Sequence, residues 1–148
     1  MIKNYPIYKK SGIEWVGEIP SNWKISKVKY VSKNHDGKRI PLSGSERADK
    51  DGMYPYYGAT GQVDSIDDYI FDGEYVLVGE DGAPFFDKTK QVAYRVKNKF
   101  WVNNHAHILS NKENYDLDYF YYVLNLVDYK EYISGSTRDK LTKGDLLN

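Results

Sequence analysis

Residues Tyr54 to Ala83 read YPYYGATGQVDSIDDYIFDGEYVLVGEDGA. Apolar and aromatic runs alternate with glycine or aspartate-glycine pairs, and this pattern predicts short strands divided by turns rather than a helix. YPYYG and GQVDSI flank the Gly58–Gly61 turn, YIF leads into Asp72-Gly73, EYVLVG is the clearest strand, and EDGAPFF is a tight loop. The stretch carries seven acidic side chains, and the same reading places much of that charge in turns and on outer faces.

Working outward, QVAYRVKN and FWVNNHAHILS predict two further strands, neighbours through the KNK turn at Lys97 to Lys99. Upstream, WKISKVKYV (Trp23 to Val31) alternates apolar and basic residues and predicts a half-buried strand with a slip in its middle. HDGKRIPLSGSERADKDGM reads as a polar loop, with Asp36-Gly37 and Asp51-Gly52 as turn signals. Residues 1–22 form an irregular leader: Pro6, Gly12, Gly17 and Pro20 break any period, while Ile13, Trp15, Val16 and Ile19 are apolar enough to pack on the domain. From Asp116 the period changes. Leu117, Phe120, Tyr121 and Leu124 recur at three- and four-residue steps in DLDYFYYVLNLVDYKEYI, with Asp116 or Asp118 as N-cap, and predict a helix. TKGD at Thr142 to Asp145 has capping-box spacing and marks the start of a second one.

A chain of 148 residues is the size of one domain with a self-supporting core. Cysteine is absent, which excludes disulfides and cysteine-ligated zinc. No apolar run approaches a membrane span, and MIKNYPIYKK lacks the apolar block of a signal peptide, so a cytoplasmic protein is expected. Tyrosine outnumbers phenylalanine 15 to 5; a ring with a polar tip suits half-buried strands and binding surfaces.

The zero formal charge hides a pattern. Residues 1–47 carry +6, residues 48–87 carry −9, residues 88–112 carry +6 and residues 113–148 carry −3. A zero total argues against strong autonomous binding to nucleic acid, whose affinity is driven by counterion release, yet two basic blocks leave room for a basic face.

Catalytic and cofactor motifs are missing. GATG and GEDGA match neither the dinucleotide fingerprint nor the P-loop ending. Asp64, Asp67, Asp68 and Asp72 do not have EF-hand spacing and read as solvated turns. His105 and His107 share a strand face, but spacing supplies no third metal ligand, and a hydrogen-bonded structural role is favoured. Neither a methyltransferase loop, a nuclease carboxylate set nor a nucleophile elbow is found. What remains is polar chemistry carried by loops: Arg138 and Lys140 in STRDK suit phosphate or guanine, and Thr60 and Gln62 suit a base edge.

Four motifs occur together and in order: SGIEWVGEIPSNWKISKVKYV (Ser11 to Val31), the opening stretch (Tyr54 to Ala83), WVNNHAHIL (Trp101 to Leu109) and SGSTRDKLTKGDL (Ser134 to Leu146). In this order they closely resemble the specificity subunits of type I restriction-modification systems. Such subunits carry two target recognition domains, each reading half of a split site, joined by long helices that dock two methylation subunits. The resemblance implies one such domain: an α/β (α+β) globule with a twisted, mostly antiparallel sheet and a C-terminal helix packed on it, spanning residues 23–148 behind the leader and truncated where the long spacer helix begins. It implies double-stranded DNA as a partner, with the methylation subunit and, through it, the restriction subunit as the others. Methyl transfer, S-adenosylmethionine binding and cleavage would belong to those subunits, leaving this chain without cofactor, metal or catalytic residues. Candidate DNA-reading side chains are Tyr57, Thr60 and Gln62 around the glycine turn, Glu80 and Asp81 as acceptors from cytosine, Asn103, Asn104 and His105 before the last strand, and Ser136, Thr137, Arg138 and Lys140. The alternative from the same residues is a protein-interaction module, or assembly decoy, that engages the methylation subunit without reading DNA.

Overall fold

The computed structural model describes residues 7–135 and 139–148. A small hairpin of β1 (Tyr8–Lys10) and β2 (Glu18–Pro20) precedes a single helical turn, α1 (Val28–Val31), and β3 (Ser32–Asn34). A 3-10 turn at Asp36–Lys38 and α2 (Gly44–Ala48) lead to β4 (Asp51–Tyr57), β5 (Gln62–Ile66), β6 (Phe71–Asp72) and β7 (Tyr75–Gly79). The strands β8 (Ala93–Val96), β9 (Lys99–Val102) and β10 (Ala106–Asn111) follow, and the chain closes with α3 (Leu117–Leu126), a 3-10 turn at Tyr129–Glu131 and α4 (Lys143–Leu147).

The expected mixed α/β class, with mostly antiparallel strands and a C-terminal helix on them, is what the chain forms, and its larger strands are divided between two sheets. One has the order β3-β10-β7-β8, all antiparallel; the other has β5-β4-β9-β6, in which β4 and β9 run parallel. The division explains why EYVLVG is a continuous apolar run. Val76 and Val78 face the cluster that contains Leu117, Phe120 and Leu124 of α3, while Leu77 faces the cluster between the sheets with Phe71, Phe100 and Ile108. A strand buried on both faces has no polar side to show. Between the sheets, Tyr57, Phe71, Tyr75, Tyr94 and Phe100 make a chain of ring contacts, with Phe71 stacked on Phe100 at 5.3 Å. The outer face of the second sheet buries Tyr56, Ile66 and Trp101 against Leu42. The Trp101 indole donates to Ile40 O and the Leu42 amide donates to the Tyr56 hydroxyl, so the loop before α2 is a fourth layer.

Several local expectations are corrected. WKISKVKYV is not a strand: 23–27 are irregular, with Trp23 and Ile25 49% and 53% exposed, and Val28–Val31 form a helical turn. FWVNNHAHILS is two strands, β9 and β10, separated by a turn at 103–105. Strands β8 and β9 are not neighbours across Lys97-Asn98. Asn98 sits at φ 68°, and the chain passes there from one sheet to the other, with β8 pairing β7 and β9 pairing β4 and β6. Asp51-Gly52 belongs to β4, where the register slips between Asp51 and Tyr54 opposite Ile66. The helix from Asp116 ends at Leu126, short of Ile133. The loop from His35 also hides α2, opened by a capping box of Ser43 and Glu46; its S-x-x-E spacing stands in the sequence and marks it.

Caps do form where the sequence placed them. Asp116 accepts from the Asp118 amide at 2.8 Å, and Thr142 accepts from the Asp145 amide at 3.1 Å. Helix α3 is fastened to the edge of the first sheet by Asn125, whose amide oxygen accepts from Val92 and Ala93 N–H at 2.8 and 2.9 Å and whose amide nitrogen donates to Ala93 O at 2.9 Å. Asn125→Ala is therefore expected to cost about 1 to 2 kcal/mol, because backbone groups on the edge strand lose their partners. A denaturant midpoint equal to wild type would contradict that role.

Candidate nucleic-acid interface

The register fixes which turns share an end of the molecule. Asn103 N–H donates to Tyr57 O at 3.1 Å, and Glu80 N–H donates to His105 O at 2.9 Å, so the ends of β4, β7 and β9 and the start of β10 come together. The Gly58–Gly61 turn joins them, closed by Gly58 N–H to Gly61 O at 2.8 Å. Tyr94 holds that turn from below, its hydroxyl donating to Gly58 O at 2.5 Å. Burial pushes the Tyr94 phenol well above its ordinary value and keeps it a donor. The C-terminal segment docks alongside: Leu141 N–H donates to Glu80 O at 2.6 Å, Gly82 N–H donates to Asp139 O at 3.0 Å, and Ser134 and Lys140 exchange backbone hydrogen bonds. Thr60, Gly82, Ala83, Pro84, Lys90 and Gln91 line an open cleft of about 570 Å3 at this end.

The opposite end gathers the acidic turns at 67–74, while Glu80, Asp81 and Asp139 stay at the first end. Asp67 follows β5 and bonds Lys50 O; Asp72 pairs with Lys99 and Gly73 bonds Asn98 O. Asp67, Asp68, Asp72 and Glu74 are exposed there, Glu74 pairing with Arg95. The second basic block is split by the same register: Lys90 lines the cleft with Thr60, Lys88 donates to Val127 O at 2.7 Å, and Arg95, Lys97 and Lys99 lie toward the acidic end.

Of the residues picked from the sequence, Thr60, Gln62, Asn104 and Lys140 are exposed around the clustered turns. Gln62 donates to Asp64 O and Ser65 Oγ. Asn103 is half-buried, its side-chain oxygen accepting from the His105 amide at 2.8 Å. The His105 ring lies 2.5 Å from Asp81 Oδ1. Two of the picks do framework tasks. The Tyr57 ring packs between Tyr94 and Phe100, and burial raises its phenol. Glu80 is 14% exposed and faces the Arg39 guanidinium at 3.4 Å. Ser136, Thr137 and Arg138 lie outside the described residues.

Beneath these turns lies a polar network that spacing did not reveal. His107 is fully buried; its Nδ1 is 2.6 Å from Asp36 Oδ2 and its Nε2 2.6 Å from Leu141 O. Asp36 Oδ1 accepts the Ile108 amide at 2.9 Å. Burial alone would raise the Asp36 carboxyl, but the hydrogen bond and charge of His107, the Ile108 amide and Arg39 together hold it below the ordinary 3.8. Arg39 is 16% exposed and donates to Asp36 O, to Asn104 O and to Ala106 O. Among the described residues, Asp36, Glu80 and His107 are a group close enough to share a cation. Arg39 supplies the positive charge within it, and both ring nitrogens of His107 already face acceptors. The signal for this network was the dense HDGKR run, which reads locally as a solvated turn.

The clustered turns are thus presented together from the common end of two buttressed sheets. The chain belongs to the family of type I restriction modification DNA specificity domains, whose model matches residues 20–148. A Haemophilus influenzae protein named as a type I restriction enzyme specificity subunit is 35% identical over 108 residues, covering 73% of this chain and 27% of that protein. The EcoprrI specificity subunit of Escherichia coli is 27% identical over 101 residues, covering 68% of this chain and 24% of its own length. The crystal structure of a type I restriction-modification S subunit from M. genitalium shares the fold with a TM-score of 0.66 at 15% identity, over 86% of this chain and 33% of that one. The chain thus spans about a quarter of the length of the curated relatives it matches. Among the described residues, no helix is long and apolar enough to cross a membrane.

Proposed function

We propose that this domain reads one half of a split duplex DNA site for a type I restriction-modification system, presenting the 58–61 turn, the 80–84 loop, the 103–105 turn and the segment around Lys140 to the groove. The observation that carries the reading is the polarity of the molecule: those turns meet at one end while Asp67, Asp68, Asp72 and Glu74 are kept at the other. Carboxylates near phosphates cost binding energy, and holding them away from the reading end removes much of that repulsion. In this proposal 23–148 is the recognition domain and 1–22 the leader. A cleft lined by Gly12–Trp15 and by residues of 128–132 supports their packing together. Methylation and restriction subunits, in the cytoplasm, supply the chemistry, and this chain supplies the address.

Thr60, Gln62, Asn104 and Lys140 are the described side chains best placed to meet DNA, with Lys90 at the rim of the cleft. His105, Asn103 and Asp81 set the shape of the turns around them. Because the module carries no net charge, its own affinity is weak, and two half-sites read together raise avidity by about a hundredfold or more. Selection from randomised duplexes tests the reading: enrichment of one short motif is expected. Enrichment of none, together with co-purification of a methylation subunit, would favour the interaction module instead. Lys90→Gln and Lys140→Gln are each expected to lower the slope of log affinity against log salt by about one, the signature of a lost phosphate contact. Slopes that stay at the wild-type value would place both lysines off the DNA.

A further inference from the structure

We infer that Arg39 and the buried His107–Asp36 pair are positioning residues for base discrimination, setting the 103–106 turn and the segment 139–141 in one register beneath the DNA-facing loops. The inference rests on the DNA reading proposed above and goes beyond it, because none of the three residues reaches the groove end as a free side chain.

The geometry is that of a shared anchor. Arg39 Nη1 donates to Ala106 O at 3.1 Å and to Asn104 O at 3.4 Å, which fixes both ends of the turn carrying His105, and it faces Glu80 Oε1 at 3.4 Å. Glu80 in turn receives Leu141 N–H on its carbonyl at 2.6 Å. From the other side His107 Nε2 holds Leu141 O at 2.6 Å, while its Nδ1 is fixed by Asp36, whose own carbonyl accepts Arg39 Nε–H at 3.0 Å. Leu141 is therefore gripped on its amide and its carbonyl by groups that also set the 103–106 turn. One residue before it, Lys140 closes the loop from Ser134 by exchanging backbone hydrogen bonds. Any shift of Arg39 or His107 moves two reading elements relative to each other.

Base readout demands donors and acceptors placed to about half an ångström, whereas phosphate contacts tolerate more displacement and carry no sequence information. Loosening the anchor should degrade discrimination and spare non-specific affinity. A fault in folding alone lowers both together.

The experiment uses the whole chain at low salt. Selection from randomised duplexes with the wild-type chain first defines the preferred duplex; absence of any preference there would defeat the DNA reading itself and this inference with it. Binding to the preferred and to a scrambled duplex is then measured for Arg39→Lys, His107→Gln and Gly52→Ala, beside thermal midpoints. Gly52 is a control at the acidic end, where an added methyl would collide with the Asp67 backbone. The preferred-to-scrambled affinity ratio is expected to fall by about tenfold or more, the scale of a lost bidentate base contact, in Arg39→Lys and His107→Gln. Affinity for the scrambled duplex should hold, and Gly52→Ala should keep the wild-type ratio despite a lowered midpoint. Lysine retains the charge of Arg39 but not its fork, so a loss there reports geometry rather than charge. If His107→Gln does not fold, Arg39→Lys decides alone. An unchanged ratio in Arg39→Lys, or an equal fall in Gly52→Ala, would overturn the inference.

Discussion

Asp36→Ala is expected to destabilise the domain by about 3 to 5 kcal/mol, because two buried groups lose their hydrogen-bond partner at about 1 to 3 kcal/mol each. The substitution strips the acceptor from His107 Nδ1 and from the Ile108 amide, both buried, and removes the carboxylate that faces Arg39. Asp36→Asn keeps one acceptor oxygen and should lose less. The wild-type pH dependence follows from the direction of the shift. The folded carboxyl lies below its ordinary value of 3.8, so its stabilisation is complete above that value and is lost as pH falls through the lower, folded one. Denaturant midpoints measured from neutral to acid pH should fall further in wild type than in Asp36→Asn, which keeps only the acid-sensitive contributions of other lowered carboxyls such as Asp64 and Asp87. An alanine variant as stable as wild type would mean that the network under the turns holds nothing.

Gly79→Ala is expected to damage stability and DNA binding together. A Cβ at Gly79 would overlap the Ala83 methyl and approach Ala59 O to 3.1 Å, at the point where the 58–61 turn rests on the 79–84 loop. Gly79 cannot retreat, since its amide is committed to Val92 O at 3.0 Å and Ala106 pairs with it across the sheet. Overpacking of this kind costs about 1 to 3 kcal/mol. The methyl also levers apart two loops that the proposed interface needs side by side, and a fall of about tenfold in affinity for the preferred duplex, the worth of one good base contact, is expected. Gly52→Ala introduces a comparable clash at the opposite end and should lower the thermal midpoint while leaving binding intact. Equal effects of the two variants on binding would remove the distinction between the ends on which the proposed interface depends.

How far the residues themselves announced this molecule depends on the range of the interaction concerned. The strand EYVLVG, the turn at Gly58–Gly61, the N-caps Asp116 and Thr142 and the core face Leu117, Phe120 and Leu124 were legible, because each is decided by neighbours within a few positions. Family membership was legible too, from the order of four motifs along the chain. The hairpin expected at Lys97-Asn98 failed for a specific reason. A two-residue link with a positive φ serves equally well for pairing adjacent strands and for sending the second into another sheet, and the destination was set by distant Tyr56, Tyr57 and Phe71. WKISKVKYV failed because alternation of lysine with apolar residues predicts a strand only if a partner strand is there to pair with it, and among the described residues no strand pairs with 23–27.

By itself, then, the sequence determined the strand-and-turn grammar, the helix starts, the absence of familiar catalytic motifs and the kinship with DNA specificity domains. Tertiary structure alone decided the split into two sheets, the placing of the acidic turns at 67–74 at the end away from the 58–61 and 103–105 turns, and the anchor of Arg39, Asp36 and His107. The reason is physical: caps and turns close over a few bonds, whereas Asp36 meets His107 across 71 residues of chain. Local propensity leaves such a contact unspecified until the core has condensed around it.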